Sequence, residues 1–145
     1  MRCAGYADIR SNRPAGPTLD RMTATVKSQL HVAGLSLDCA DPGELSTFYR
    51  QLLGGEILWA NADSVGVRTS SVVLVAQRVV SHVPPIWPGT SIVHLDLAAV
   101  PDLDSAVANA VRLGATLASL QQDSRWRVLL DPAGHPFCIT TVTAE

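Results

Sequence analysis

The residues best suited to chemistry are His94 and Asp96, two apart in the run Ser91-Ile-Val-His-Leu-Asp-Leu97. On a strand that spacing puts both side chains on one face, with backbones ~7 Å apart. An imidazole beside a carboxylate is a proton-transfer pair, or two hydrogen-bonded wall residues, and the second reading is slightly favoured, with Asp96 anchoring an arginine such as Arg127. The other histidines are weaker candidates. His31 lies at the mouth of a strand in the opposite phase, His82 in a proline-rich stretch and His135 in a turn, which are structural or surface positions. Trp59, Trp87 and Trp126 are notable in a chain with 5% aromatic residues. Tryptophans around an open cavity stack flat organic ligands, although core or dimer packing is an equal use for any one of them. Cys3, Cys39 and Cys138 are an odd count without C-x-x-C spacing, which indicates neither a disulfide framework nor a zinc knuckle and suits a reduced, cytoplasmic protein.

The elements that must position these residues follow from an internal repeat. At an offset of 60, the run from His31 to Leu37 overlies Ser91 to Leu97, Leu53-Gly54 overlies Leu113-Gly114, and Ile57 overlies Leu117. In the first half, residues 30–39 alternate as a strand. Asp41-Pro42-Gly43-Glu44 then supplies a cap, a first-turn proline and an acidic residue for a helix. Leu45, Phe48, Tyr49, Leu52 and Leu53 form its apolar stripe, and Gly54-Gly55 ends it. Strands are expected at 56–60, 64–69 and 72–78. The second half repeats the order, with a strand at 92–98, a helix opened by Asp102 and stopped by Gly114, and strands at 116–119, 125–130 and 136–142. Asp131-Pro132-Ala133-Gly134 forms a tight turn between the last two. The helical stripes sit one residue out of phase, which places a one-residue insertion near Val100-Pro101.

The fold class is therefore α+β, two βαβββ modules. Module one covers about 29–78, an extended connector 79–90, and module two about 91–145. Each sheet carries a helix on one face, and two curved sheets facing one another would enclose a cup. Residues 1–28 carry a charge of +3 and the remainder −5. That first stretch, rich in Gly, Pro, Arg and Ser, reads as a flexible leader rather than a secretory signal, with Met22 a candidate natural start. Among 145 residues 47% are hydrophobic and 17% charged, which excludes a disordered chain. No apolar run is long enough for a membrane helix. The net charge of −2 gives no reason to expect nucleic acid or an anionic membrane as partner.

The chain resembles the vicinal oxygen chelate superfamily, which has the fold of glyoxalase I, bleomycin-resistance proteins and extradiol dioxygenases. The resemblance rests on Leu37-Asp38-x-x-Asp41-Pro42, Phe48-Tyr49-x-x-Leu52-Leu53-Gly54, His94-Leu-Asp-Leu97 and Trp126-Arg-Val-Leu-Leu-Asp-Pro-Ala-Gly-His-Pro-Phe137. It covers nearly all of residues 30–142 and is especially close to small glyoxalase-like proteins of actinobacteria. By that resemblance, four metal-ligand positions fall on Gly34, about Gln77, His94 and Cys138. Only His94 is a familiar donor, so loss of the metal site is the favoured expectation and no cofactor is expected. If a divalent zinc, nickel, manganese or iron is held, the ligands are His94, Gln77 and Cys138.

Strand alternation points Val32, Gly34, Ser36 and Asp38 into the cup from the first strand. Ile92, His94 and Asp96 point in from the fifth, with Val93, Leu95 and Leu97 under the helix, and Cys138 and Thr140 share a face on the last. Gly34 is expected to open space for a bulkier ligand. The ligand-binding set is thus Gly34, Ser36, Trp59, Gln77, His94, Asp96, Trp126 and Cys138, with His94 and Asp96 as the catalytic candidates. The expected function is binding of a small organic ligand without a complete metal site. The alternative is a metal-dependent lyase, isomerase or dioxygenase of the same superfamily, and a third reading is a dimeric interaction module with a filled cup. The resemblance also implies a homodimer.

Overall fold

The computed structural model describes residues 32–89, 93–99 and 101–142. The basic leader therefore lies outside the described residues, as do His31 and Ile92. Module one runs β1 (Leu35–Cys39), α1 (Pro42–Leu53), β2 (Glu56–Ala60), β3 (Ser64–Arg68) and β4 (Val73–Arg78). Module two runs β5 (Leu95–Ala98), α2 (Leu103–Arg112), β6 (Thr116–Leu117), β7 (Trp126–Leu130) and β8 (Pro136–Thr140). Each module forms an open four-stranded sheet, in the orders β1-β4-β3-β2 and β5-β8-β7-β6. The first strand of each pairs parallel with the last, and the remaining pairs are antiparallel. No helix among the described residues is long and apolar enough to cross a membrane.

Both helices start where the side chains dictate. Asp41 accepts from the backbone N–H groups of Gly43 and Glu44 at 2.8 and 3.1 Å, and Pro42 occupies the first turn, where its missing donor costs nothing. Asp102 caps α2 through Ser105 N–H at 2.9 Å. These caps are 61 residues apart where the first strands of the modules are 60 apart, as the one-residue phase shift requires.

Gly54 and Gly55 turn the chain from α1 into β2 with φ of 70° and 145°. A side chain on Gly54 would meet nothing within 4 Å, whereas one on Gly55 would run directly into the Arg68 carbonyl of β3. Gly54→Ala is therefore expected to cost about 1–2 kcal/mol, for a backbone conformation open essentially to glycine alone. Gly55→Ala is expected to cost on the order of 3 kcal/mol, since neither conformation nor space accommodates it. Urea denaturation of the two variants measures the difference, and equal losses would contradict this account of the turn.

The main core lies between the sheets and their helices and runs through both modules. It includes Leu45, Phe48 and Tyr49 of α1, Leu74 and Ala76 of β4, Ala110 of α2, and Leu129, Phe137 and Ile139 of module two. Leu95 and Leu97 pack against it from β5, as their alternation requires, while Val93 just before the strand is mostly exposed. Phe48 and Phe137 meet edge-on across the modules, 6.0 Å between ring centroids. Close by, Tyr49 donates its hydroxyl to Asp131 Oδ2 at 2.9 Å. Asp131 heads the tight β7–β8 turn and is also reached by the backbone N–H groups of Ala133 and His135, both at 2.9 Å from Oδ1, and by His135 Nδ1 at 3.1 Å from Oδ2. From the connector, His82 Nε2 lies 2.9 Å from the Ala133 carbonyl. One buried carboxylate thus ties α1 to the second module's turn.

Candidate functional site

Strand pairing decides which candidates share a surface. On β5, Asp96 sits opposite Cys138 of β8, which in turn faces Val128 of β7. His94 precedes β5 and falls on the same side as Asp96. One residue further along each strand, Leu95, Leu97, Phe137, Ile139 and Leu129 turn into the main core. The opposite face of the second sheet therefore presents His94, Asp96, Cys138, Val128 and Trp126. Ala118 joins them beyond β6, through its N–H to the Val128 carbonyl at 3.0 Å. Gln121 holds this edge together, donating to the Ala118 and Val128 carbonyls and accepting from Val128 N–H.

His94, Asp96 and Cys138 bring one donor atom each to within 4.8 Å of one another. His94 Nδ1 is 3.4 Å from Asp96 Oδ1, close enough for attraction but not aligned as a hydrogen bond. His94 is mostly buried, and half of the Asp96 side chain is exposed. Arg127 is not the partner of Asp96. Its guanidinium turns to the carbonyls of Asp123, Ser124 and Trp126 instead. Cys39 is a free, buried thiol that donates to the Gln77 carbonyl, and desolvation raises its pKa above the ordinary value. Cys138 is disulfide-bonded, a departure from the reduced state expected of the cysteines.

Trp126 and Trp87 complete this surface. Trp126 is 8% exposed, and Trp87 arrives from the connector to pack on Ala118, Trp126, Val128 and Cys138. Trp87 stands edge-on to His94 with 6.3 Å between centroids. The buried indole nitrogens of both tryptophans lack hydrogen-bond partners among the described residues. At the rim, Arg125 lies 5.3 Å from the Trp126 ring and pairs with Asp123, whose carboxyl it holds down at about 2. An unpaired buried N–H costs about 1–3 kcal/mol, so Trp126→Phe removes a liability together with some packing. Its expected effect on stability is within about 1 kcal/mol of zero, measured by denaturant unfolding.

The first sheet treats its candidates differently. Ser36 and Asp38 are exposed on β1. Gln77 spends its amide on the Asp63 carbonyl at 3.2 Å. Trp59 lies over Gly66 and donates to Ser64 Oγ at 3.1 Å, which leaves 40% of it exposed. Gly34 opens no cavity: a Cβ there would stand 2.8 Å from the Val73 carbonyl, so glycine allows close backbone approach at the start of β4. The register also shows that Gln77, opposite Asp38, corresponds to Thr140, opposite Ala98. The counterpart of Cys138 is Val75. Trp87 was not among the expected ligand-binding residues, because nothing local in a proline-rich connector says which sheet it returns to.

The glyoxalase-like domain family matches residues 34–140. No curated protein matches the chain. Among solved structures, the fold is similar to the fosfomycin resistance protein FosX of Listeria monocytogenes, in a complex with Mn(II) and a dihydroxypropylphosphonic acid. The TM-score is 0.63 at 12% identity, over 79% of this chain and 92% of that one. It is also similar to a glyoxalase/bleomycin resistance protein/dioxygenase family enzyme of Burkholderia phytofirmans, with a TM-score of 0.56 at 19% identity over 74% and 94% of the two chains. An integron cassette protein of Vibrio cholerae has a TM-score of 0.55 at 16% identity, over 81% and 99%. With its paired βαβββ modules and a family match spanning both, the chain belongs to the glyoxalase-like domain family of the vicinal oxygen chelate superfamily.

Proposed function

We propose that this protein binds a small organic ligand on the face of its second sheet opposite the main core, without a complete metal site. The observation that carries this reading is the asymmetry between the two sheets. Among the described residues, metal donors cluster on module two alone, while the positions of module one that correspond to His94 and Cys138 hold Gly34 and Val75, which offer none. Within the cluster, a 3.4 Å His94–Asp96 separation suits the edge of a tetrahedron around zinc, with ligand bonds of ~2.1 Å. The third donor, Cys138, is disulfide-bonded and supplies no thiolate in that state. Two donors fall short of the three protein ligands usual for catalytic zinc, and the residues present do not fit a complete site.

Native mass spectrometry and metal analysis of the purified full chain test this. The expected result is a co-purifying organic molecule with metal well below stoichiometry. Stoichiometric zinc, nickel, manganese or iron that is lost in His94→Ala would overturn the proposal. It would favour the second reading, a metal-dependent lyase, isomerase or dioxygenase using His94, Asp96 and reduced Cys138, which the proximity of those three donors supports. We also propose a homodimer, supported by the partly exposed Ile57 and Trp59 on β2. Light scattering should then give twice the 15.4 kDa chain mass.

A further inference from the structure

The face of the second sheet opposite the main core holds buried polar atoms that no described residue hydrogen-bonds. Trp126 is more than nine-tenths buried, yet its indole N–H has no partner among the described residues. Trp87, packed against the same cluster, also leaves a buried indole N–H unpaired. The buried Nδ1 of His94, edge-on to Trp87, makes no aligned hydrogen bond either. Folded proteins pair the large majority of their buried polar side-chain atoms, so three on one sheet face call for a common cause. Trp59 shows the ordinary solution, with its N–H on Ser64 Oγ.

We infer that this face binds a planar organic molecule whose edge presents acceptor oxygens, carbonyl or carboxylate, to the indole N–H groups of Trp87 and Trp126. The inference rests on the ligand-binding reading above and deepens it by naming the ligand's chemistry. An indole N–H only donates, so a ligand edge carrying amine donors would leave both groups unpaired, as would a hydrocarbon. The two aromatic surfaces suit a flat apolar body attached to that edge. The anion on this face, Asp96, is half exposed and turned toward His94 at 3.4 Å, away from any hydrogen bond to the indoles.

Three probes of one shape test this on the full chain: 2-naphthoate, 2-acetylnaphthalene and 2-methylnaphthalene. Each tryptophan gives one indole N–H resonance in a nitrogen–proton correlation spectrum, assigned through Trp59→Phe, Trp87→Phe and Trp126→Phe. At least one oxygen-bearing probe is expected to move the Trp87 and Trp126 resonances downfield while that of Trp59 stays in place. That probe should bind about tenfold more tightly than the hydrocarbon. Trp126→Phe should weaken it about five- to tenfold, and weaken the hydrocarbon, which loses only stacking area, by a clearly smaller factor. Trp87→Phe, at a less buried position, should show the same selective loss. Whichever oxygen-bearing probe binds more tightly distinguishes a carboxylate from a carbonyl ligand.

Equal binding of all three probes, or equal losses in the variants, would overturn the inference while leaving a ligand-binding face in place. Failure of every probe to move either resonance would also overturn it, and the co-purification experiment then decides the broader reading separately.

Discussion

Replacing Asp131 with alanine is expected to lower the unfolding free energy by about 4 kcal/mol. The reason is the number of donors that converge on one buried carboxylate. Asp131 is 4% exposed and accepts from two backbone N–H groups of its own turn, from His135 and from the Tyr49 hydroxyl of the other module. Alanine leaves those donors behind, and a buried group without its partner bears the full cost of its desolvation. Thermal unfolding should shift down by about 10 °C or more for a chain of this size. A loss below about 1 kcal/mol would mean that the turn rearranges easily and that the two modules are not joined through it. Tyr49→Phe should cost less, about 1–2 kcal/mol, because it leaves the carboxylate with its other donors.

The same contact gives a pH dependence with a definite sign. Burial first, and the Asp131 carboxylate second, push the Tyr49 phenol well above its ordinary value of 10. Below pH 10 both folded and unfolded chains hold the phenolic proton, and the contribution is fully present. Above it the unfolded chain releases the proton while the folded chain retains it, so stability falls as pH rises further. Chemical denaturation from pH 8 to 11 should show that decline in the parent protein, and Tyr49→Phe should remove its tyrosine part. An unchanged decline in Tyr49→Phe would assign the effect to other groups.

The second large effect is expected at Phe137. This ring is 0% exposed, meets Phe48 of α1 across the module boundary, and lies on the opposite face of β8 from Cys138. Phe137→Ala combines lost apolar burial with a cavity that the surrounding sheet and helix cannot fully close, and should cost about 4 kcal/mol. The comparison with Trp126 is informative. The two aromatics lie in adjacent strands and point to opposite faces of the same sheet, yet Trp126→Phe is expected to be nearly neutral. Guanidinium denaturation of both variants checks the contrast. Comparable losses would place Trp126 in an ordinary core and weaken its assignment to a ligand-binding surface.

Much of the architecture was legible in local residue patterns because local interactions specify it. Asp41 with Pro42, and Asp102 with Ser105, mark helix starts through contacts within one turn. Gly54-Gly55 and the turn after Asp131 mark reversals through backbone conformations that few residues tolerate. Alternation along 56–60, 64–68 and 126–130 placed the strands to within a residue or two, since side chains on a strand point to opposite faces in turn. The repeat then fixed the element order, and the His94–Asp96 spacing on one face followed from the same period of two.

Other features depended on partners far along the chain. Gly34 looked like space for a ligand and is instead a point of close approach to Val73, because only the packed sheet shows what lies opposite a missing side chain. The resemblance places ligand positions at about Gln77 and at Cys138, yet strand register pairs Cys138 with Asp96 and sets Val75, not Gln77, in its place in module one. Arg127 was a reasonable partner for Asp96 by charge, but its side chain reaches nearer carbonyls first. Trp87, some thirty-nine residues before Trp126 and outside any regular element, joins it only through the path of the connector. By itself the sequence determined two α+β modules, their strands and helices, and a histidine–aspartate pair on one strand face, all of which arise from neighbours a few residues apart. Tertiary structure alone decided that donors gather on one sheet and not the other, and that two tryptophans meet there. Those outcomes arise from register and chain crossing between residues far apart in sequence, which no local spacing encodes.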